Sequence, residues 1–160
     1  MTTDPQTTAW LDQEDAHLAQ VIRAHRWAVQ YVGEGDEPDE PPFAYTIGLF
    51  GLGHPELVVV GLDHRSAHEL LQHAAGLVAG GRDLVPGEVL PGKGRPPVIA
   101  EVLPNPGEVV LGANRFYERP AEYSVPALQL TWAAAGGAFP WDDAWPLGPD
   151  VQPRPGTWCA

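Results

Sequence analysis

The stretch Phe43-Ala44-Tyr45-Thr46-Ile47-Gly48-Leu49 decides the fold class, together with Glu56-Leu57-Val58-Val59-Val60-Gly61-Leu62 after a glycine-proline turn. Side chains alternate across a strand. Phe43, Tyr45, Ile47 and Leu49 therefore share one bulky apolar face, while Ala44, Thr46 and Gly48 share a nearly bare face with a single hydroxyl. The second segment is apolar almost throughout, the pattern of a strand covered on both sides. A connection of roughly seven residues is short for a parallel crossover and natural for an antiparallel pair.

Outward from this pair, the pattern predicts a helix over Leu11–His25, where Leu11, Leu18, Val21 and Ile22 recur at helical spacing. Acidic residues crowd its first turn and basic ones its last, matching the helix dipole. Trp27–Val32 reads as a strand, and the acidic run 33–40 as an exposed loop. Ser66-Ala67-His68-Glu69 fits a capping box and predicts a helix from Ser66 to Gly80-Gly81. A short strand around 88–90, a strand over Val98–Leu103, a helix over 106–117 and a strand over Ala127–Trp132 follow. The expected fold is one α+β domain, with a mostly antiparallel, partly barrel-like sheet flanked by about three helices. Residues 1–8 are expected to be disordered, 9–153 to form the domain and 154–160 to be a C-terminal tail.

Composition narrows the function. The 160 residues carry a formal charge of −12, which repels nucleic-acid backbones and anionic membranes. The only close basic pairs are Arg23/Arg26 and Lys93/Arg95. One cysteine, Cys159, excludes an internal disulfide and a cysteine zinc cluster. The start lacks the basic and apolar regions of a signal peptide, so a soluble cytoplasmic protein is expected.

Each chemistry-bearing candidate has a functional and a plain structural reading. Thr46, on the bare strand face, suits contact with a planar ring or phosphate, or merely close packing. His54, beside Glu56 across Pro55, suits proton transfer, or caps a turn. Arg115 suits an anion clamp, or a surface ion pair. Gln129 and Trp132 line a pocket for substrate, or serve the core, with Trp141, Trp145 and Trp158 as further aromatic wall or as clamps on the C-terminal segment. His64 and His68 have the i, i+4 spacing of metal ligands. However, a helix starting at Ser66 leaves His64 outside it. His73 lies about 140° around the helix from His68, and no third ligand is evident, so no metal is expected.

The blocks quoted at the outset, with His54-Pro55-Glu56, His25-Arg26-Trp27, Ala127–Trp132, Phe139-Pro140-Trp141-Asp142 and Gln152-Pro153, run in order across about residues 12–153. In these the chain resembles the domain-of-unknown-function family numbered 4262. That resemblance implies a complete small bacterial domain and no particular activity. Residues 43–80 are also similar, at the level of fold, to flavin reductase-type split barrels, which implies a flavin as cofactor. The function expected is binding of a small planar or carboxylated metabolite, by a flavin-like cofactor-dependent or acid/base enzyme. In it His54 is catalytic, Thr46 and Arg115 hold cofactor, and Gln129 and Trp132 hold substrate. The alternative is a non-catalytic acidic module for a basic protein partner, or a homodimer.

Overall fold

The computed structural model describes residues 4–37, 39–92 and 94–160. In chain order the elements are helix α1 (Pro5–His25), strands β1 (Ala28–Val32), β2 (Phe43–Ile47) and β3 (Glu56–Val60), helix α2 (His64–Ala79), strands β4 (Val89–Leu90) and β5 (Val98–Val102), helix α3 (Leu111–Phe116) and strand β6 (Ala127–Trp132). Every residue of both strands is buried; Phe43, Tyr45 and Ile47 share one face as predicted, but Leu49, expected with them, follows Gly48 at positive φ and packs on the opposite face with Ala44.

The strands form one sheet in the order β1-β2-β3-β6-β5-β4. It consists of two antiparallel meanders, β1-β2-β3 and β4-β5-β6, joined by a parallel pairing of β3 with β6. The α+β, mostly antiparallel expectation holds. The curl toward a barrel does not close: β1 and β4 remain separate edges. None of the helices is long and apolar enough to cross a membrane among the described residues.

Alternation divides the core in two. On one face Ala44, Leu57, Val59, Leu128, Leu130 and Trp132 pack against Ala67, Leu71, Ala74, Ala75 and Val78 of α2. On the other, Phe43, Tyr45, Ile47, Val58 and Val60 pack against Val109, Val110 and Ala113 around α3, and against Trp158. Each fully buried leucine, such as Leu57, Leu71 or Leu130, contributes about 1.5–3 kcal/mol by leaving water.

Three boundaries differ from expectation, each for a local reason. Helix α1 begins at Pro5 with Asp4 at its cap position, so residues 5–8 are helical; Met1–Thr3, expected to be disordered, lie outside the described residues. Proline at the first turn loses nothing there and presets the backbone. Helix α2 is capped by Asp63, whose carboxylate accepts from the Ser66 backbone N–H and hydroxyl, both at 2.9 Å. Aspartate is as good a cap as serine, and the helix therefore starts at His64. The predicted 106–117 helix is split into a 3₁₀ turn over Pro106–Glu108 and α3, because Val109 and Val110 leave the helical path and bury their side chains in the core.

The segment expected as a tail is built into the domain. The Trp158 ring meets Phe43 edge-on with centroids 5.1 Å apart, and the Ala160 N–H donates to the Glu108 carbonyl.

Gly48 ends β2 at φ +131°, and a Cβ there would lie 2.4 Å from the Arg26 carbonyl oxygen and 2.7 Å from Trp27 Cα. Gly48→Ala is expected to destabilise the fold by roughly 3 kcal/mol or more. Gly33→Ala, with nothing within 4 Å of its Cβ position, is expected to stay within about 0.5 kcal/mol of the parent. Urea denaturation midpoints of the two variants check this.

Candidate functional site

The turn from β2 to β3 is organised around a carboxylate. Glu56 is fully buried, as is Thr46. The Thr46 hydroxyl donates to Glu56 Oε1 at 2.9 Å and accepts the Leu57 N–H at 2.9 Å, taking the place of the next rung of the β2–β3 ladder. The backbone N–H groups of Gly48 and Phe50 donate to Glu56 Oε2 at 3.0 and 3.3 Å, and that of Leu49 to Oε1 at 3.0 Å. Burial pushes the Glu56 carboxyl above the ordinary glutamate range, while these donors pull it part of the way back.

His54 completes the turn. Its Nε2 accepts the Leu84 N–H at 3.0 Å, and Nδ1 lies 2.7 Å from the Pro55 carbonyl oxygen. An amide only donates, so the proton resides on Nδ1 and is given to Pro55. From the other side Tyr117 Oη accepts the Gly51 N–H at 3.1 Å. Burial raises the Tyr117 phenol, and the nearby Glu56 charge raises it further.

The remaining predicted residues lie apart from this turn and from one another. By alternation Thr46 and Trp132 face α2, whereas Gln129 faces the α3 side of the sheet. The Trp132 indole N–H donates to the Val60 carbonyl at 2.8 Å. Gln129 donates to the Pro153 carbonyl and accepts the Trp158 indole N–H, both at 3.0 Å. Arg115 stands half-exposed on α3 and forks onto Asp15 of α1 with contacts of 3.0–3.3 Å. Of the five predicted residues, Arg115 lines a surface groove between α1 and β1. Thr46, His54, Gln129 and Trp132 are buried, and each has a hydrogen-bond partner within the protein.

Two depressions lie elsewhere on the surface. The loop after β1 and the segment 140–160 enclose a groove of about 970 Å³, whose walls include Asp39, Glu40, Asp142 and Asp150 beside Phe43, Trp145 and Leu147. A second depression of about 710 Å³ runs along the other side of the same loop. It shares Glu40 and Asp150 with the first and adds Glu34, Glu37 and Asp63. The cation in these walls is Arg154, which is engaged: its guanidinium meets Glu101 at 2.7 Å and stacks 4.5 Å over Trp141. No three His, Cys, Asp or Glu side chains converge on a metal-sized point among the described residues. The sequence held the signal in two pieces, an acidic run at 34–40 and a tryptophan- and proline-rich end, a hundred residues apart. Packing of Trp158 on Phe43 brings them together.

The family described as Domain of unknown function (DUF4262) matches residues 21–146, and the chain belongs to it. No curated protein and no solved structure matches the chain. The blocks that carried the resemblance have physical roles here. Tyr45 Oη accepts the Gly112 N–H at 2.9 Å, Thr46 and Glu56 clamp the turn, and His54 ties it to Leu84. Buried Gln152 accepts from Trp132 N–H at 2.9 Å and donates to its carbonyl at 2.8 Å, as a neighbouring strand would.

Glu56→Gln sets an NH₂ group against donors and is expected to cost about 2–4 kcal/mol. The pH dependence has a definite sign. A carboxyl raised by folding contributes stability that is fully present below its unfolded value and is lost as pH rises through its folded one. The advantage of the parent over the glutamine variant is therefore expected to shrink as pH rises above the ordinary glutamate range in urea unfolding. An advantage that grows with pH would contradict this assignment.

Proposed function

We propose that the protein is a non-catalytic binding module whose acidic trough receives a lysine- or arginine-bearing segment of a partner protein in the cytoplasm. The observation that carries this reading is the placement of seven carboxylates, Glu34, Glu37, Asp39, Glu40, Asp63, Asp142 and Asp150, along two connected depressions in which Arg154 is already paired. Carboxylates spread along a trough, rather than gathered on one point, match charges spread along an extended ligand. The overall charge of −12 extends the same field outward and speeds encounter with a cation. Trp145 and Leu147 add apolar surface for the aliphatic stems of such side chains.

The rival reading, a flavin-dependent or acid/base enzyme acting on a small planar or carboxylated metabolite, asks Thr46, His54, Arg115, Gln129 and Trp132 to turn outward to a ligand. Their polar groups are spent on Glu56, Leu84, Asp15, Trp158 and Val60. That is why the acidic trough is preferred.

Titration with octalysine, followed by tryptophan fluorescence, is expected to show saturable binding that weakens about tenfold between roughly 50 and 200 mM salt. Asp142→Asn with Asp150→Asn is expected to weaken it a further fivefold or so, and octaglutamate to give no change. Octalysine binding that is absent at low salt, or undiminished in the double variant, would overturn the proposal.

A further inference from the structure

We propose that His64 and His68 form a two-histidine site for a borderline divalent transition-metal ion of the zinc, nickel or copper class. The capping of α2 by Asp63 rather than Ser66 places both histidines in the helix, at i and i+4 on one face. Both are exposed, and their rings stand 6.3 Å apart, within 9° of parallel. An ion bound to both Nε2 atoms requires the stacked rings to turn until their in-plane lone pairs converge, and exposed His68 supplies most of that rotation.

The surroundings prepare the pair. Tyr31 packs edge-on against His64 with centroids 4.8 Å apart, which limits where that ring can turn. A chain of hydrogen bonds sets the state of His68. The Trp27 indole only donates, and it reaches Gln72 Oε1 at 2.8 Å. The Gln72 amide nitrogen is thereby directed to His68 Nε2 at 3.2 Å, which must accept. His68 therefore presents a lone pair on Nε2 and carries its proton on Nδ1, the tautomer that ligates through Nε2. On metal binding the Gln72 amide exchanges this long bond for water.

His64 stands at the positive N-terminal end of α2, and nearby carboxylates offset that charge. Asp63 and Glu34 act on neighbouring Tyr31 with negative potential. Both Asp63 oxygens are held by Ser66, so Asp63 attracts without needing to ligate. The one nearby positive charge on the same turn, Arg65, is turned to Glu69 at 3.2 Å. Two imidazoles leave the other coordination positions to water, a set suited to these metals rather than to calcium or magnesium. In the helical His-Glu-x-x-His motif of metallohydrolases a glutamate after the first histidine serves as base. Position 65 is arginine, so the site binds metal without that hydrolytic base.

The test is a calorimetric titration with Ni²⁺ in a Cys159→Ser background, which removes the exposed thiol. One ion per chain is expected, with affinity reduced at least about tenfold in His64→Ala and in His68→Ala, and unchanged in His73→Ala on another side of α2. Circular dichroism of each variant confirms that α2 is intact. Absence of Ni²⁺ binding to the parent, equal binding by the His64→Ala/His68→Ala double variant, or loss in His73→Ala would each overturn the proposal. The octalysine experiment uses metal-free protein, so the two proposals fail independently.

Discussion

The carboxylate of Glu56, buried among three backbone N–H groups and the Thr46 hydroxyl, is the interaction on which the rest of the structure depends. It lies where the chain leaves β2, swings through Gly48 at positive φ and enters β3. The tip at Gly51–Gly53 is exposed, but Gly48 and Leu49 are buried and Phe50 half-buried, and this stretch carries backbone donors that no strand satisfies. The Glu56 side chain satisfies three of them, so the chain can be buried as it leaves β2 beyond the last rung of the β2–β3 ladder. Desolvating a carboxylate is costly, and it is tolerated because every donor aimed at it is already in place.

With that turn fixed, β3 sits at the middle of the sheet with both neighbours paired, and β6 can add in parallel at Glu56, Leu57 and Val58. The two meanders are thereby locked together. The C-terminal segment then behaves as a seventh layer of contacts rather than a strand. Gln152 pairs with the Trp132 backbone, Gln129 reaches Pro153, and Trp158 closes over Phe43. This return of the chain brings Asp142 and Asp150 opposite the acidic loop and creates the trough. Fold and proposed function are linked through it: the buried amides hold the scaffold, and the surface they position carries the charge.

Much of the fold was legible because its strands declare themselves by period. The alternation at Phe43–Ile47 and the apolar runs at Glu56–Val60 and Ala127–Trp132 correspond to strands within a residue or two. What escaped were choices between equivalent local signals. Asp63 and Ser66 are both competent caps, and only the structure shows that Asp63 prevails, which restores His64 to the helix. The insertion of β6 between β3 and β5 depends on long-range packing that no local pattern encodes. For the site, the sequence singled out Arg115 on a helix and four residues in or beside apolar strands: Thr46, His54, Gln129 and Trp132. The last four share one property: they are buried, and burial makes each one satisfy a neighbour. The trough was hidden for the opposite reason. Its carboxylates look like ordinary solvated surface until the chain ends bring two stretches together.

The measurement that bears most directly on this account is native-state amide hydrogen exchange at Gly48, Leu49, Phe50 and Leu57. These four donors serve Glu56 and Thr46 rather than a regular ladder or helix. If the Glu56 clamp is the constraint described, they exchange only with global unfolding, at rates matching the buried amides of β3. Exchange at Gly48, Leu49 and Phe50 as fast as at Gly33 and Glu34 in the surface loop would contradict it.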